Sequence, residues 1–162
     1  MNASIPSIVT PVPAPPPHPA EADCRWLSDW YYRDFLELGA LDTAPRTARG
    51  VIRERLPLWG LGHLVDVAEL VATEMITNSV AATREFFGDG RLPPVRVWLL
   101  GGVAGVVVLV WDGVPWMPAP REAGLTDENG RGLGIIAALS REWDCYVPAV
   151  PFCGKVSRAF LS

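Results

Sequence analysis

Leu70-Val71-Ala72-Thr73-Glu74-Met75-Ile76-Thr77-Asn78-Ser79-Val80 is the stretch on which the reading of this chain turns. It lies within an apolar-periodic segment with no proline or glycine between His63 and Phe87, which predicts a long helix over residues 63–83. At about 100° per residue, Glu74 and Asn78 fall within roughly 40° of each other, in a sector shared with Val67, Leu70, Val71 and Ala81. A carboxylate and a carboxamide thus interrupt a largely apolar face. Desolvating a lone carboxylate is expensive, and a hydrated magnesium ion carrying phosphates suits both groups as a partner. The alternative is that Glu74 sits at the edge of a polar side continued by Asp66, Glu69, Thr73 and Thr77.

Elements on either side of this helix are mixed. Residues 26–38 predict a short helix passing into a strand, with Trp26, Trp30, Tyr31, Tyr32 and Phe35 forming an aromatic stripe that serves either the core or a partner surface. Thr43 as a cap and Pro45 in the first turn predict a helix over 44–56, carried by Ala48, Val51, Ile52 and Leu56. Residues 95–100 and 106–111 are rich in β-branched and aromatic residues around a glycine-rich turn and predict an antiparallel hairpin. Prolines between 115 and 120 predict an irregular, lid-like segment. A helix start at 133–139 and two strands, 143–147 and 155–161, complete an α/β order without regular βαβ repeats.

The 162 residues suit one domain, and mean hydropathy of +0.20 supplies enough apolar material for its core. Prolines 6, 11, 13, 15, 16, 17 and 19 predict a disordered tail over residues 1–24 ahead of a domain over 25–162. The net charge is -4 and the arginines are scattered, which argues against a nucleic-acid partner. Cys24, Cys145 and Cys153 show no metal-ligand spacing with His18 or His63, and read as structural. No lysine or arginine precedes Arg25 and the apolar run 97–111 is short for a bilayer, so a cytoplasmic chain with neither signal nor membrane span is expected.

Two further segments carry polar chemistry. Asp112 leaves the end of the strongest apolar strand, where its oxygens suit the exocyclic amine of adenine and Gly113 lets a planar base approach; Asp-Gly is equally a common turn. Gly130, Arg131, Gly132, Leu133 and Gly134 precede the apolar run 135–139, so free amides and the helix dipole converge on an anion there; a hinge with a helix start is the alternative. Neither a Walker loop nor a dinucleotide fingerprint is present.

In order and spacing these segments resemble the motifs of the GHKL ATPase superfamily, specifically the anti-sigma-factor serine kinases and their actinobacterial relatives. The resemblance spans about residues 35–161. It implies a Bergerat-type α/β sandwich, with a mixed, mostly antiparallel sheet covered by helices on one face. It implies ATP and Mg2+ as cofactors, Asn78 as magnesium ligand, Glu74 as general base, Asp112 and Gly113 at the adenine, and residues 130–134, with Arg131 among them, closing over phosphates. Gly154-Lys155 resembles the glycine-lysine pair near the family's end, which adds Lys155 to the nucleotide site. The implied function is a serine/threonine kinase in a partner switch, its partners a sigma factor, an antagonist protein or both, with a homodimer as a possible assembly. A non-catalytic binding module with the same fold is the alternative. The chain departs from the family pattern at Val114 and Trp116, where glycines often follow the aspartate, and at Val156, where threonine is often seen.

Overall fold

The computed structural model describes residues 11–20, 24–116 and 128–162, and the side chains of all of these except 24–26 and 128–131. In chain order the elements are β1 (Tyr32–Leu38), α1 (Ala44–Leu58), α2 (Val65–Phe87), β2 (Val95–Gly102), β3 (Gly105–Asp112), α3 (Glu128–Leu139), β4 (Glu142–Tyr146) and β5 (Lys155–Leu161), with 3-10 turns at Cys24–Asp29 and Gly62–Leu64. The strands form one sheet in the order β1-β2-β3-β5-β4, and all four pairings are antiparallel.

The pleat sorts the strand residues onto two faces. Val95, Val97 and Leu99 of β2, Val106, Val108 and Val110 of β3, and Ala159 and Leu161 of β5 face the helices and share a core with Ile52, Leu56, Val71, Met75 and Ile76. Trp98, Leu100, Val107, Leu109 and Val156 point the other way and form a second core with Leu27 and Tyr146. Both faces of β3 are therefore dry, which is why its sequence is a nearly unbroken apolar run.

Two expectations change here. Thr43 has αR backbone angles and makes no side-chain cap, and α1 starts instead on Pro45 in its first turn. The tail expected to be disordered is seated over residues 11–20. Trp98 Nε1 donates to the Pro13 carbonyl at 2.8 Å, and Tyr146 Oη donates to the Pro16 carbonyl at 2.9 Å. The second face of the sheet is apolar and needs a cover, and the tail together with the turn at Leu27 supplies it. Residues 1–10 lie outside the described residues. The aromatic stripe divides: Trp30 packs edge-on to Phe160 at 5.8 Å, Tyr32 stacks on Trp59, and Tyr31 is exposed. Cys145 is half-buried, and burial pushes its thiol pKa up, in keeping with a structural role.

Gly105 opens β3 at φ 140°, and a Cβ there would collide with the Leu161 carbonyl oxygen. Gly105→Ala should therefore lower stability by on the order of 2–3 kcal/mol, seen as a lower urea midpoint at unchanged slope. A wild-type midpoint would show that the hairpin end is not held against β5.

Candidate functional site

Helix α2 buries Ala68, Val71, Ala72, Met75, Ile76, Ser79, Val80 and Thr83. Glu74 and Asn78 flank this stripe and are half-buried, while Leu70 and Ala81 of the same sector face outward. The pair thus lies on the border of the apolar face rather than inside it. What gives the border its character is α3, which packs along α2. A Cβ built on Gly132 would lie 2.6 Å from Glu74 Oε2, 3.6 Å from Asn78 Nδ2 and 3.7 Å from Asn78 Oδ1. Two segments more than fifty positions apart in sequence therefore meet at a point where only hydrogen occupies the glycine's side-chain direction.

The glycine-rich segment differs from its expected form. Helix α3 begins at Glu128, so residues 130–134 are its first turns and not a loop ahead of a helix at 133. Glycine weakens a helix by about 1 kcal/mol per residue relative to alanine, and close packing on α2 is what Gly132 gives in exchange. Leu133 is half-buried against the helix-side core, and Gly134 is exposed with open space around it. Gly130 and Arg131 are part of the helical backbone; the Arg131 side chain lies outside the described residues, as do residues 117–127 of the expected lid segment. The leading amides of a helix lack acceptors within it; in α3 these belong to Glu128 to Arg131, and Gly132, which meets the polar pair, follows them.

At the end of β3, Asp112 is 1% exposed. Its Oδ1 accepts from Lys155 Nζ at 2.6 Å and from the Val114 amide at 3.0 Å. Its Oδ2 is buried with no hydrogen-bond partner. Lys155, 5% exposed, faces Asp112 because the antiparallel register of β3 and β5 pairs these two positions. Gly154 precedes it at φ 85°, and a Cβ there would strike the Asp112 carbonyl oxygen, so the approach of the two chains depends on that glycine. Gly113 is half-buried, and a Cβ on it would make ordinary contact with the Phe87 ring and Pro93, each at 3.5 Å.

Thr83 escapes a sequence reading that looks for charged or amide groups. It is wholly buried in α2, one turn before Phe87, and its hydroxyl has no partner. The signal was its place on the stripe four residues after Ser79, where an apolar side chain is the rule. Trp111 and Trp116, both close to Asp112 in sequence, separate in space. Trp111 takes the opposite pleat to Asp112, its indole donating to the Cys153 carbonyl at 2.7 Å and its ring lying under Arg96. Trp116 remains on the helix side, edge-on to Phe86 at 4.4 Å.

A purine nucleotide suits this arrangement. Two buried polar atoms, Asp112 Oδ2 and Thr83 Oγ1, lack partners, and the space on Gly132 above Glu74 and Asn78 is one that a side chain would fill. Among the described residues no group of three or more acidic, histidine or cysteine side chains forms a metal cage.

An antiparallel five-stranded sheet backed by helices is consistent with the fold of GHKL-type ATPase domains. Residues 40–149 match the histidine kinase-like ATPase domain family, and the chain belongs to that family. Its domains bind ATP, usually with Mg2+. A comparison with curated proteins found no match. Among the described residues no helix is long and apolar enough to cross a membrane.

Lys155 lies beyond the matched span, yet it completes the Asp112 environment. Removing it strands a buried carboxylate, so Lys155→Met should cost about 3–5 kcal/mol in urea denaturation, and the double variant Lys155→Met/Asp112→Leu should recover most of that loss. Equal destabilisation of single and double variants would mean that the pair is not coupled.

Proposed function

We propose that this chain is an ATP-dependent serine kinase of a partner switch, acting on a serine of an antagonist protein and binding a sigma factor in the alternative state. The observation that carries the reading is the contact of Gly132 with Glu74 and Asn78, because it brings a carboxylate and a neutral oxygen ligand against the second turn of α3. Mg2+-ATP, when bound, supplies the phosphoryl group.

Each residue then has a part. Glu74 Oε2 accepts the proton of the incoming serine hydroxyl, and its position at the edge of the apolar stripe leaves it accessible to a protein substrate. Asn78 Oδ1 offers magnesium an oxygen without adding charge. The amides at the start of α3 favour negative charge beside that pair. Asp112 Oδ2 accepts from the exocyclic amine of adenine, while Lys155 and the Val114 amide hold Oδ1 and keep the carboxylate from turning. Gly113, against Phe87, leaves room for the base.

One observation favours the non-catalytic reading: Val114 and Trp116 stand where glycines often widen the adenine segment, and Trp116 packs on Phe86 beside it. Incubation with γ-labelled ATP and candidate antagonists separates the two. Label on an antagonist serine is expected; ATP binding without label on any protein would establish the binding module instead. Asn78→Ala should abolish magnesium-dependent ATP binding in calorimetry, and wild-type affinity in that variant would reject the site. Gly132→Ala should change the thermal midpoint little, because the Glu74 carboxylate is a flexible end that can swing aside. It should nonetheless lower phosphoryl transfer by about 10²-fold or more, with ATP affinity reduced less. Unchanged transfer would remove Glu74 from the mechanism.

A further inference from the structure

The seating of residues 11–20 includes contacts three residues apart. Val12 packs into the second core, Pro15 and the adjoining Pro16 are buried, and the His18 ring meets Tyr146 edge-on at 4.6 Å. The carbonyls of Pro13 and Pro16, also three apart, accept from Trp98 Nε1 and Tyr146 Oη. Three residues per turn is the period of a polyproline helix, whose carbonyls point outward and whose prolines offer no competing N–H. Two ring donors on β2 and β4 therefore read one edge of such a helix, while apolar side chains on its other edge enter the sheet face.

The groove continues past His18. Its Nε2 lies 3.7 Å from Asp144 Oδ2, and Asp144 lines a cavity of about 470 Å³ together with Asp29, Glu142, Trp30, Trp143 and Phe160. Arg158 engages Asp144 through two hydrogen bonds of 3.0 Å and lies over the Tyr146 ring. Arg158 lines the same cavity, and among the described residues Asp29 and Glu142 have no cationic partner, so the described lining carries three carboxylates against one guanidinium beside aromatic rings. A guanidinium fits that chemistry: it pairs with carboxylates through a flat fork and stacks on aromatic faces. Histidine is shorter and stops at the cavity's edge.

We propose that the second face of the sheet is a docking groove for proline-rich segments bearing an arginine three residues beyond a buried proline. The chain's own residues 11–20 fill it in cis with His18 at the arginine position. A partner's segment replaces them by placing its guanidinium between Asp29, Glu142 and the Trp143 ring. The tether makes the cis occupant a strong competitor, so an external ligand must gain from guanidinium contacts that the strap does not make.

The test uses the full chain with the strap loosened by Pro13→Gly, Pro15→Gly and Pro16→Gly, and a fluorescent ten-residue peptide copying residues 11–20, with or without His18→Arg. Fluorescence polarisation should show the arginine peptide binding about fivefold or more tightly than the histidine peptide. Asp29→Asn with Glu142→Gln should erase that difference and leave the histidine peptide's affinity unchanged. In the otherwise wild-type chain, His18→Arg should raise the thermal midpoint, and the same two cavity substitutions should cancel the gain. Absence of binding to the loosened chain, an arginine advantage that survives the cavity substitutions, or no midpoint change in either background would overturn the proposal. Dimerisation of the loosened chain in sedimentation would assign the groove to a second copy's strap and overturn it as well.

Discussion

The alternation of β3 governs both faces of this protein. Because Val106, Val108 and Val110 must lie under the helices, Asp112 lies on their side of the sheet at the strand's end, and Val107, Leu109 and Trp111 are committed to the opposite face. A slip of one residue would send the carboxylate to the wrong side and bring an indole into the site. Such a slip is resisted on both sides at once, since each face has its own core. The antiparallel partner β5 transmits the same constraint, setting Lys155 against Asp112 at one end and Leu161 against Val106 at the other.

The helical layer depends on that geometry in turn. Arg84 ties the far end of α2 to the Asp42 carboxylate at 2.6 Å and the Ala40 carbonyl at 3.0 Å, and Arg53 joins α1 to Glu69 of α2 at 2.8 Å. These contacts hold α2 along the sheet, so that Phe87 reaches Gly113 while Asn78 and Glu74, about two and a half and three and a half turns earlier, meet Gly132 of α3. The candidate site is therefore spread along one helix, with apolar packing fixing its base end and a small-residue contact defining its polar end.

Much of this was legible because its causes are local. A long segment without helix breakers, a β-branched hairpin and two final alternating strands each follow from periodicity, and α2, β2, β3, β4 and β5 lie where it puts them. The polar residues were legible as types: Glu74, Asn78 and Asp112 stand out against apolar neighbours. What the sequence withheld depends on contacts between distant parts. Nothing local in residues 11–20 indicates that an aromatic sheet face waits to receive their carbonyls. The glycines at 130–134 weaken a helix locally, and only the company of α2 accounts for one at Glu128. Trp111 adjoins Asp112 in sequence, yet the pleat sends the two side chains to opposite faces. Thr83 was overlooked because a threonine in a helix usually explains itself.

The burial of Lys155 with Asp112 also divides the molecule by its sensitivity to dissolved ions. Arg96–Glu37 on the sheet edge and Arg84–Asp42 at the helix end stand in water, where counterions at physiological strength screen charges over about 8 Å. The pair at the foot of the proposed base pocket is closed to that atmosphere. Ionic strength can thus loosen the periphery while the carboxylate that would choose the purine keeps its orientation, so recognition of the base and adhesion of the outer layers answer to different solvents.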